Sequence, residues 1–290
     1  MIPARFDYVR PGSLEEALAI LRDREGEAKV LAGGYSLLPL MKLRLAQPAL
    51  LVDLQAVGGL DGIARTDDWW RIGGRVTHRA ILEHDALAAD HPAMRDAAGG
   101  IGDPQVRNWG TIGGSCAHAD PSSDWPAVLQ ALGASFVLRS AAGERVAPAR
   151  GFFLDAFQTG IEPTEVLTEV RIPRPAAGAG SAYVKLERRA GDFATVGVAA
   201  SLTIGDNGRI TAAGLALTAV GDAPFAAGDA EAALVGAVPM EDAYVTAARA
   251  AAAQAKPVAD GHGPADYKRA MVREITVRAL RRAAERALAA

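Results

Sequence analysis

Cysteine is the scarcest side chain, with Cys116 the only one in 290 residues. A lone cysteine excludes an internal disulfide. It equally excludes an iron–sulfur cluster or a multi-thiolate zinc site made by this chain alone, so any such centre must sit on a partner. An excess of positive charge is also missing: 31 Lys and Arg against 34 Asp and Glu leave a net charge of −3. That balance argues against binding a phosphate backbone, and nucleic acid is not an expected partner. No apolar run approaches the roughly twenty residues that cross a bilayer. The start, "MIPARFDYVRPGSLEEAL", lacks the apolar stretch of a signal peptide, so no membrane span and a cytoplasmic location are expected. Apolar residues are plentiful, at 50% of the chain, enough for real cores in two domains of ordinary size.

The N-terminal fifth alternates helix and strand signals. "PGSLEEALAILRD" offers Ser13 as an N-cap with Glu16 three residues on, followed by Leu14, Ala17, Leu18 and Leu21 at helical spacing. "AKVLAGG" and "ALLVDL" read as short buried strands around an irregular or briefly helical "SLLPLMKLRL", a small βαβ-type unit. "WWRIGG" reads as a strand, helices are expected from Thr77 to about residue 100, and "PAVLQALGA" as a helix stopped by Gly133. "SFVLRS", "GERVAP" and "VLTEVRIP" read as strands. The Pro/Gly-rich "RPAAGAGSA", 174 to 182, marks the best domain boundary. Beyond it come strands with Asn207-Gly208 as a hairpin turn, then two alanine-rich helices near 241–255 and 265–289.

Double glycines recur at 33–34, 73–74 and 113–114. A glycine pair after a strand can turn successive amides inward into a nest that holds an anion without a lysine, although a single pair is more often a tight turn. Gly33-Gly34 and Gly113-Gly114 each follow an apolar segment and each precede a serine, Ser36 or Ser115, so two matching nests and a diphosphate ligand are expected. No GxxxxGK[ST] occurs, and "GGIGDPQ" fails the G-x-G-x-x-G spacing, so the common nucleotide folds do not apply.

"LAGGYSLLPLMKLR" (31–44) and "GDPQVRNWGTIGGSCAHADPSSDWPAVLQALGA" (102–134) resemble the two FAD loops of the medium, flavin-binding subunit of the molybdenum hydroxylases, the carbon monoxide and xanthine dehydrogenase type. The resemblance extends to "YVKLERRAGDFATVGVA" and "DYKRAMVREITVRALRRA", covering essentially the whole chain. It implies an α+β fold: a two-lobed FAD-binding domain of the vanillyl-alcohol oxidase-like (PCMH) type over residues 1–176, with lobes of about 1–54 and 55–176, then a smaller α+β domain over 177–290. It also implies a cofactor-binding set. The first segment supplies Lys29, Val30, Leu31, Ala32, Gly33, Gly34, Tyr35, Ser36 and Leu37. The second supplies Ile101, Gly110, Thr111, Ile112, Gly113, Gly114, Ser115, His118, Ser123 and Asp124, with Leu167, Lys185, Asp192 and Phe193 beyond. The two glycine loops would lie on the pyrophosphate, Asp124 would anchor cofactor hydroxyls, and Asp192 and Phe193 would approach the isoalloxazine ring. Tyr35 replaces the more usual His or Gln, so a histidyl-flavin bond is excluded and FAD is expected to be non-covalent; the ring either packs on the flavin or shields it.

The function implied is electron transfer. Substrate is oxidised at a molybdenum cofactor in a large subunit, and electrons pass through [2Fe–2S] clusters of a small subunit to this FAD and on to an external acceptor, in a dimer of heterotrimers. No catalytic residue and no metal ligand is assigned to this chain. Cys116, His118 and Asp120 alternate as ligands might, but a catalytic metal generally wants three supported ligands, and Cys116 has no basic neighbour to activate it. A small buried residue behind the cofactor is the better reading of Cys116. His78, His84, His91 and His262 share no spacing and are expected at the surface or in caps, the basic side chains of the last helix on a solvated face. Two rivals stay open: a free-standing FAD oxidoreductase with its own substrate, and a scaffold that has lost the cofactor.

Overall fold

The computed structural model describes residues 1–289, arranged around three principal sheets. The first lobe holds β1 (Asp7–Val9), α1 (Leu14–Asp23), β2 (Ala28–Leu31), α2 (Leu37–Lys42) and β3 (Leu50–Asp53), with β3 paired in parallel to both β1 and β2. Helix α1 starts where expected, because the Ser13 hydroxyl accepts from the Glu16 amide at 3.1 Å, while the Glu16 carboxylate reaches back to the Gly12 amide at 2.8 Å. Its buried face is Leu14, Ala17, Leu18 and Leu21, packed on Leu50 and Val52.

The second lobe is built on an antiparallel sheet of order β4-β5-β10-β6-β7. In chain order it contains β4 (Ile63–Arg65), β5 (Trp69–Gly73), α3 (His78–Leu82), α4 (Asp85–Asp90), α5 (Pro92–Gly100), α6 (Pro104–Trp109), α7 (Ile112–His118) and α8 (Asp124–Ala131). Strands β6 (Ser135–Ser140), β7 (Gly143–Pro148), the small hairpin β8 (Phe153–Asp155) and β9 (Gln158–Thr159), and β10 (Val166–Pro173) complete it. Strand β10 returns to the centre of the sheet, which is why a lobe opened by β4 and β5 closes only a hundred residues later.

The C-terminal part is a sheet of β11 (Ala179–Leu186), β12 (Val196–Ile204), β13 (Ile210–Thr218) and β14 (Phe225–Ala226), followed by α9 (Gly228–Leu234), α10 (Glu241–Gln254) and α11 (Ala265–Ala289). Its strands are buried on both faces. Tyr183, Ala199 and Ala216 join the core of the second lobe under α5 and α8, while the alternate Ala182, Val198, Ala200, Leu215 and Leu217 face α10 and α11. Period-2 alternation of this kind sends successive side chains to opposite faces, so one sheet serves two cores.

Two basic residues of α11 are not on a solvated face, contrary to expectation. Lys268 is buried and donates to Asp260 at 2.6 Å, and Arg286 forms a two-pronged bond to Asp96 of α5 at 2.6 and 3.0 Å. Helix α9 and strand β1 lie outside the elements expected from the sequence, both being too short for periodicity to reveal.

Candidate functional site

The first glycine segment runs from the end of β2 into α2. Gly34 sits at φ +80°, a left-handed conformation that glycine adopts without strain. The amides of Gly33, Gly34, Tyr35, Ser36 and Leu37 donate no hydrogen bond to any described residue, and Ser36 gives α2 no side-chain cap. Consecutive unpartnered amides on a turn form the concave donor set that binds anions. The free backbone donors that the expected nest requires are therefore available here.

The second segment differs. Gly113 and Gly114 do not form a loop; they lie in the first turn of α7, because Thr111 is extended (φ −118°, ψ 151°) and caps that helix. The Gly114 amide donates to Thr111 Oγ1 at 3.1 Å, and the Ile112 and Gly113 amides donate to the carbonyls of Val76 and Gly74, each at 3.0 Å. All three amides are consumed inside the protein, so the expectation of two matching nests is corrected to one. Thr111 Oγ1 accepts from Gly114 and keeps its own proton for another acceptor.

The glycines serve close approach instead. A Cβ on Gly33 would land on the carbonyl of Trp109, and one on Gly113 would meet Gly74 at 2.5 Å. The third glycine pair is thereby explained, since Gly74 is the surface on which α7 rests. Gly114 is different again: its Cβ would meet Thr111 Oγ1 at 2.8 Å and then only the Ala32 methyl at 3.9 Å. Gly114 and Ala32 thus face each other where the two segments meet.

Just beyond α7, where Ser123 opens α8, lies a buried polar cluster. Asp124, at the start of α8, accepts from the Tyr183 hydroxyl at 2.5 Å and pairs with Lys185 Nζ at 3.4 Å. Lys185 also donates to the carbonyls of Gly100 at 2.6 Å and Asp192 at 2.9 Å, and lies 3.3 Å from Glu187. Its side chain is only 6% exposed and that of Asp124 8%. Tyr183 was not singled out in the sequence, yet "YVKLE" carries the signal: positions 183, 185 and 187 alternate and share one strand face.

Burial pushes the Asp124 carboxyl up to about 6, against the pull of Lys185 and the Tyr183 hydroxyl. The folded value lies above the ordinary 3.8 of the unfolded chain, so this group stabilises the fold fully below 3.8. That contribution is lost as pH rises through about 6, a change on the order of 3 kcal/mol. Urea unfolding of the wild type and Asp124→Asn should show a stability difference that moves in favour of the variant across this window. A pH-independent difference would contradict the assignment.

The other expected residues are distributed as follows. Lys29, Val30 and Leu31 form β2, with Val30 against the first-lobe core. Leu37 opens α2, Ile101 caps α5, and Gly110 links α6 to α7. Ser115 and Ser123 share a hydrogen bond of 2.8 Å that ties α7 to α8. Leu167 packs its side chain into the second-lobe core, and a Cβ on Gly74 would meet its carbonyl, so Leu167 backs α7 through Gly74. Asp192 and exposed Phe193 lie on the β11–β12 loop, which Lys185 fastens to α5 and which packs Gly191 against Gly102. His118 is exposed to only an intermediate degree and its ring meets that of Phe157 at a tilt of 48°, with centroids 5.0 Å apart.

Cys116 is fully buried and its thiol is pushed far up by burial, which leaves it inert. No group of three His, Cys, Asp or Glu side chains able to hold a metal exists among the described residues. His78 and His91 are buried rather than at the surface. Burial holds His78 down at about 4, and its Nδ1 accepts from Trp125 Nε1 at 3.0 Å, so the pair is a neutral support behind Gly110. His84 is a cap, its Nδ1 accepting from the Leu87 amide.

Known proteins share this architecture. The family described as the FAD binding domain in molybdopterin dehydrogenase matches residues 4–175, and the CO dehydrogenase flavoprotein C-terminal domain matches residues 181–283. The carbon monoxide dehydrogenase medium chain of Afipia carboxidovorans is 43% identical, over 99% of each chain. Among solved structures, reconstituted CO dehydrogenase from Oligotropha carboxidovorans superposes with a TM-score of 0.95 at 43% identity, over 99% of this chain and 100% of that one. Quinoline 2-oxidoreductase from Pseudomonas putida 86 superposes at 0.92 with 36% identity, over 99% and 100% of the two chains. No helix among the described residues is long and apolar enough to cross a membrane. By sequence and by fold, the chain belongs to the FAD-binding medium subunits of the molybdenum hydroxylase family.

Proposed function

We propose that this chain holds FAD where Ala32–Ser36 and Thr111–Ser115 approach each other and passes electrons from the [2Fe–2S] clusters of a partner subunit to an external acceptor. The observation that carries this reading is the run of five unpartnered amides from Gly33 to Leu37, next to the Ala32 methyl that meets Gly114 of the second segment. FAD bound there supplies the exchange between a one-electron relay and a two-electron acceptor. The amides of the first segment take the diphosphate charge, and the free proton of Thr111 Oγ1 adds one donor from the opposite wall. Asp124 keeps lone pairs beyond those used by Tyr183 and Lys185, and these accept cofactor hydroxyls. Lys185 holds the loop that brings Asp192 and Phe193 to the ring.

Oxidation of the organic or gaseous substrate belongs to a large subunit with a molybdenum cofactor, and the iron–sulfur relay to a small subunit, in a dimer of heterotrimers. The buried, solitary Cys116 supports that division of labour. The division of this chain into residues 1–176 and 177–290 follows the same reading, with the cofactor held mainly by the first part.

Tyr35 offers no imidazole for a histidyl bond, so acid precipitation of the purified protein should leave all of its flavin in the supernatant as FAD. FMN in the supernatant, or flavin retained in the pellet, would contradict the reading.

A further inference from the structure

The second-lobe sheet has a charged face as well as an apolar one. Arg71 on β5 lies between the core residues Trp70 and Ile72, Arg171 on β10 between Val170 and Ile172, and Arg139 on β6 follows Leu138. Successive side chains of a strand leave by opposite faces, so the three arginines share the face turned away from the core that holds Ile112 of α7 and Trp125 of α8. There they line a cavity of about 380 Å³, together with residues 12–15 at the start of α1 and residues 58–60 of the link into β4. Arg71 and Arg171 stand directly opposite each other in the β5–β10 register, an arrangement in which like charges repel. Glu169 offsets that repulsion by accepting from Arg71 Nε at 2.8 Å and from Arg171 Nε at 2.6 Å. Arg139 has no such neighbour. Its one ion-pair partner among the described residues is Glu15, 3.7 Å away with a side chain 74% exposed. Glu144 approaches Arg171 only to 3.9 Å.

We propose that this cavity is a second ligand site, one that takes a phosphate group, either free or as the monoester of a small molecule. It shares no lining residue with the segments 32–36 and 111–115. The donor set selects an oxyanion. Each guanidinium carries five N–H groups in a planar fork that matches the paired oxygens of a phosphate, and most of these are unused, because Glu169 is the only lining carboxylate hydrogen-bonded to the arginines. Glu15 and Glu144, exposed and only loosely paired, turn into solvent when an anion enters. The backbone adds donors to those of the arginines, since the lining amides of Leu14, Glu15, Gly58 and Gly59 donate to no described residue. A volume of about 380 Å³ suits a small ligand.

The test uses the full chain carrying its flavin, titrated with inorganic phosphate and with glycerol 3-phosphate in chloride buffer of fixed ionic strength. Broadening of the phosphorus NMR signal should report one saturable site with a Kd on the order of 1 mM. Arg139→Gln should weaken binding about tenfold, and Arg139→Lys should restore part of it. Glu15→Gln, which removes the carboxylate that competes for Arg139, should tighten binding about twofold. Tighter binding of the ester assigns the site to phosphomonoesters, and tighter binding of phosphate assigns it to the free ion. No saturable broadening up to about 10 mM of either probe would overturn the proposal, as would equal binding by the wild type and Arg139→Gln. Loss of flavin from Arg139→Gln, or its release by either probe, would also overturn it, because the cavity would then belong to the cofactor's own site.

Discussion

Gly114→Val is expected to yield a folded, colourless protein. Gly114 lies in the first turn of α7, where a side chain is tolerated by the helix itself and valine has a better helix propensity than glycine. Its Cβ, however, falls 2.8 Å from Thr111 Oγ1, the cap of that helix, and 3.9 Å from the methyl of Ala32 in the first segment. The two branch methyls fill the space between the segments and turn the Thr111 hydroxyl away from any ligand. The fold should lose only about 1 kcal/mol, the worth of a cap. FAD affinity should fall by about a hundredfold or more, since the added methyls crowd the point at which the two segments would hold the diphosphate. Flavin content per chain, measured by absorbance and chromatography, checks this. Normal flavin content in the variant would refute the placement of the cofactor between these segments.

Lys185→Met should destabilise the protein strongly without touching its backbone. Lys185 neutralises two carboxylates, Asp124 and Glu187, and Glu187 Oε2 has no other hydrogen-bond partner. Removing one member of a buried ion pair costs about 3–5 kcal/mol, because the remaining charge is left without compensation. In thermal unfolding that corresponds to a fall on the order of 10 °C. The loss should be partly restored in Lys185→Met with Asp124→Asn, where the orphaned carboxylate is also removed. The β11–β12 loop loses its tie to Gly100 in both variants, so protease cleavage near residue 190 should increase in both. An unchanged melting temperature in Lys185→Met would show that the cluster carries little of the fold's stability.

Local signals made the periodic parts of this fold legible. The Ser13 cap, the four buried residues of α1, the hairpin at Asn207-Gly208 and the long C-terminal helices all lie where spacing put them. The site was legible only in part. Gly33-Gly34 does leave its amides free to donate, but Gly113-Gly114 imitates it in sequence and is a helix start, because Thr111 acts as an N-cap. The role of Gly74 could not be read locally, since it lies in the approach of α7 to β10, far away in the chain. His78 and His91 were misplaced for the same reason. Their burial depends on Trp125 and on the Pro173 carbonyl, partners 47 and 82 residues distant. Tyr183, by contrast, was available from strand alternation beside Lys185, and its bond to Asp124 makes it a supporting member of the cluster.

Anaerobic mixing of the flavin-loaded chain with its prereduced iron–sulfur subunit tests the central claim most directly. Flavin absorbance and the cluster's paramagnetic signal are followed together. Flavin bleaching should keep pace with the loss of the cluster signal, at two electrons per flavin, with intact FAD recovered by acid afterwards. A flavin that stays oxidised beside a reduced cluster would contradict the account.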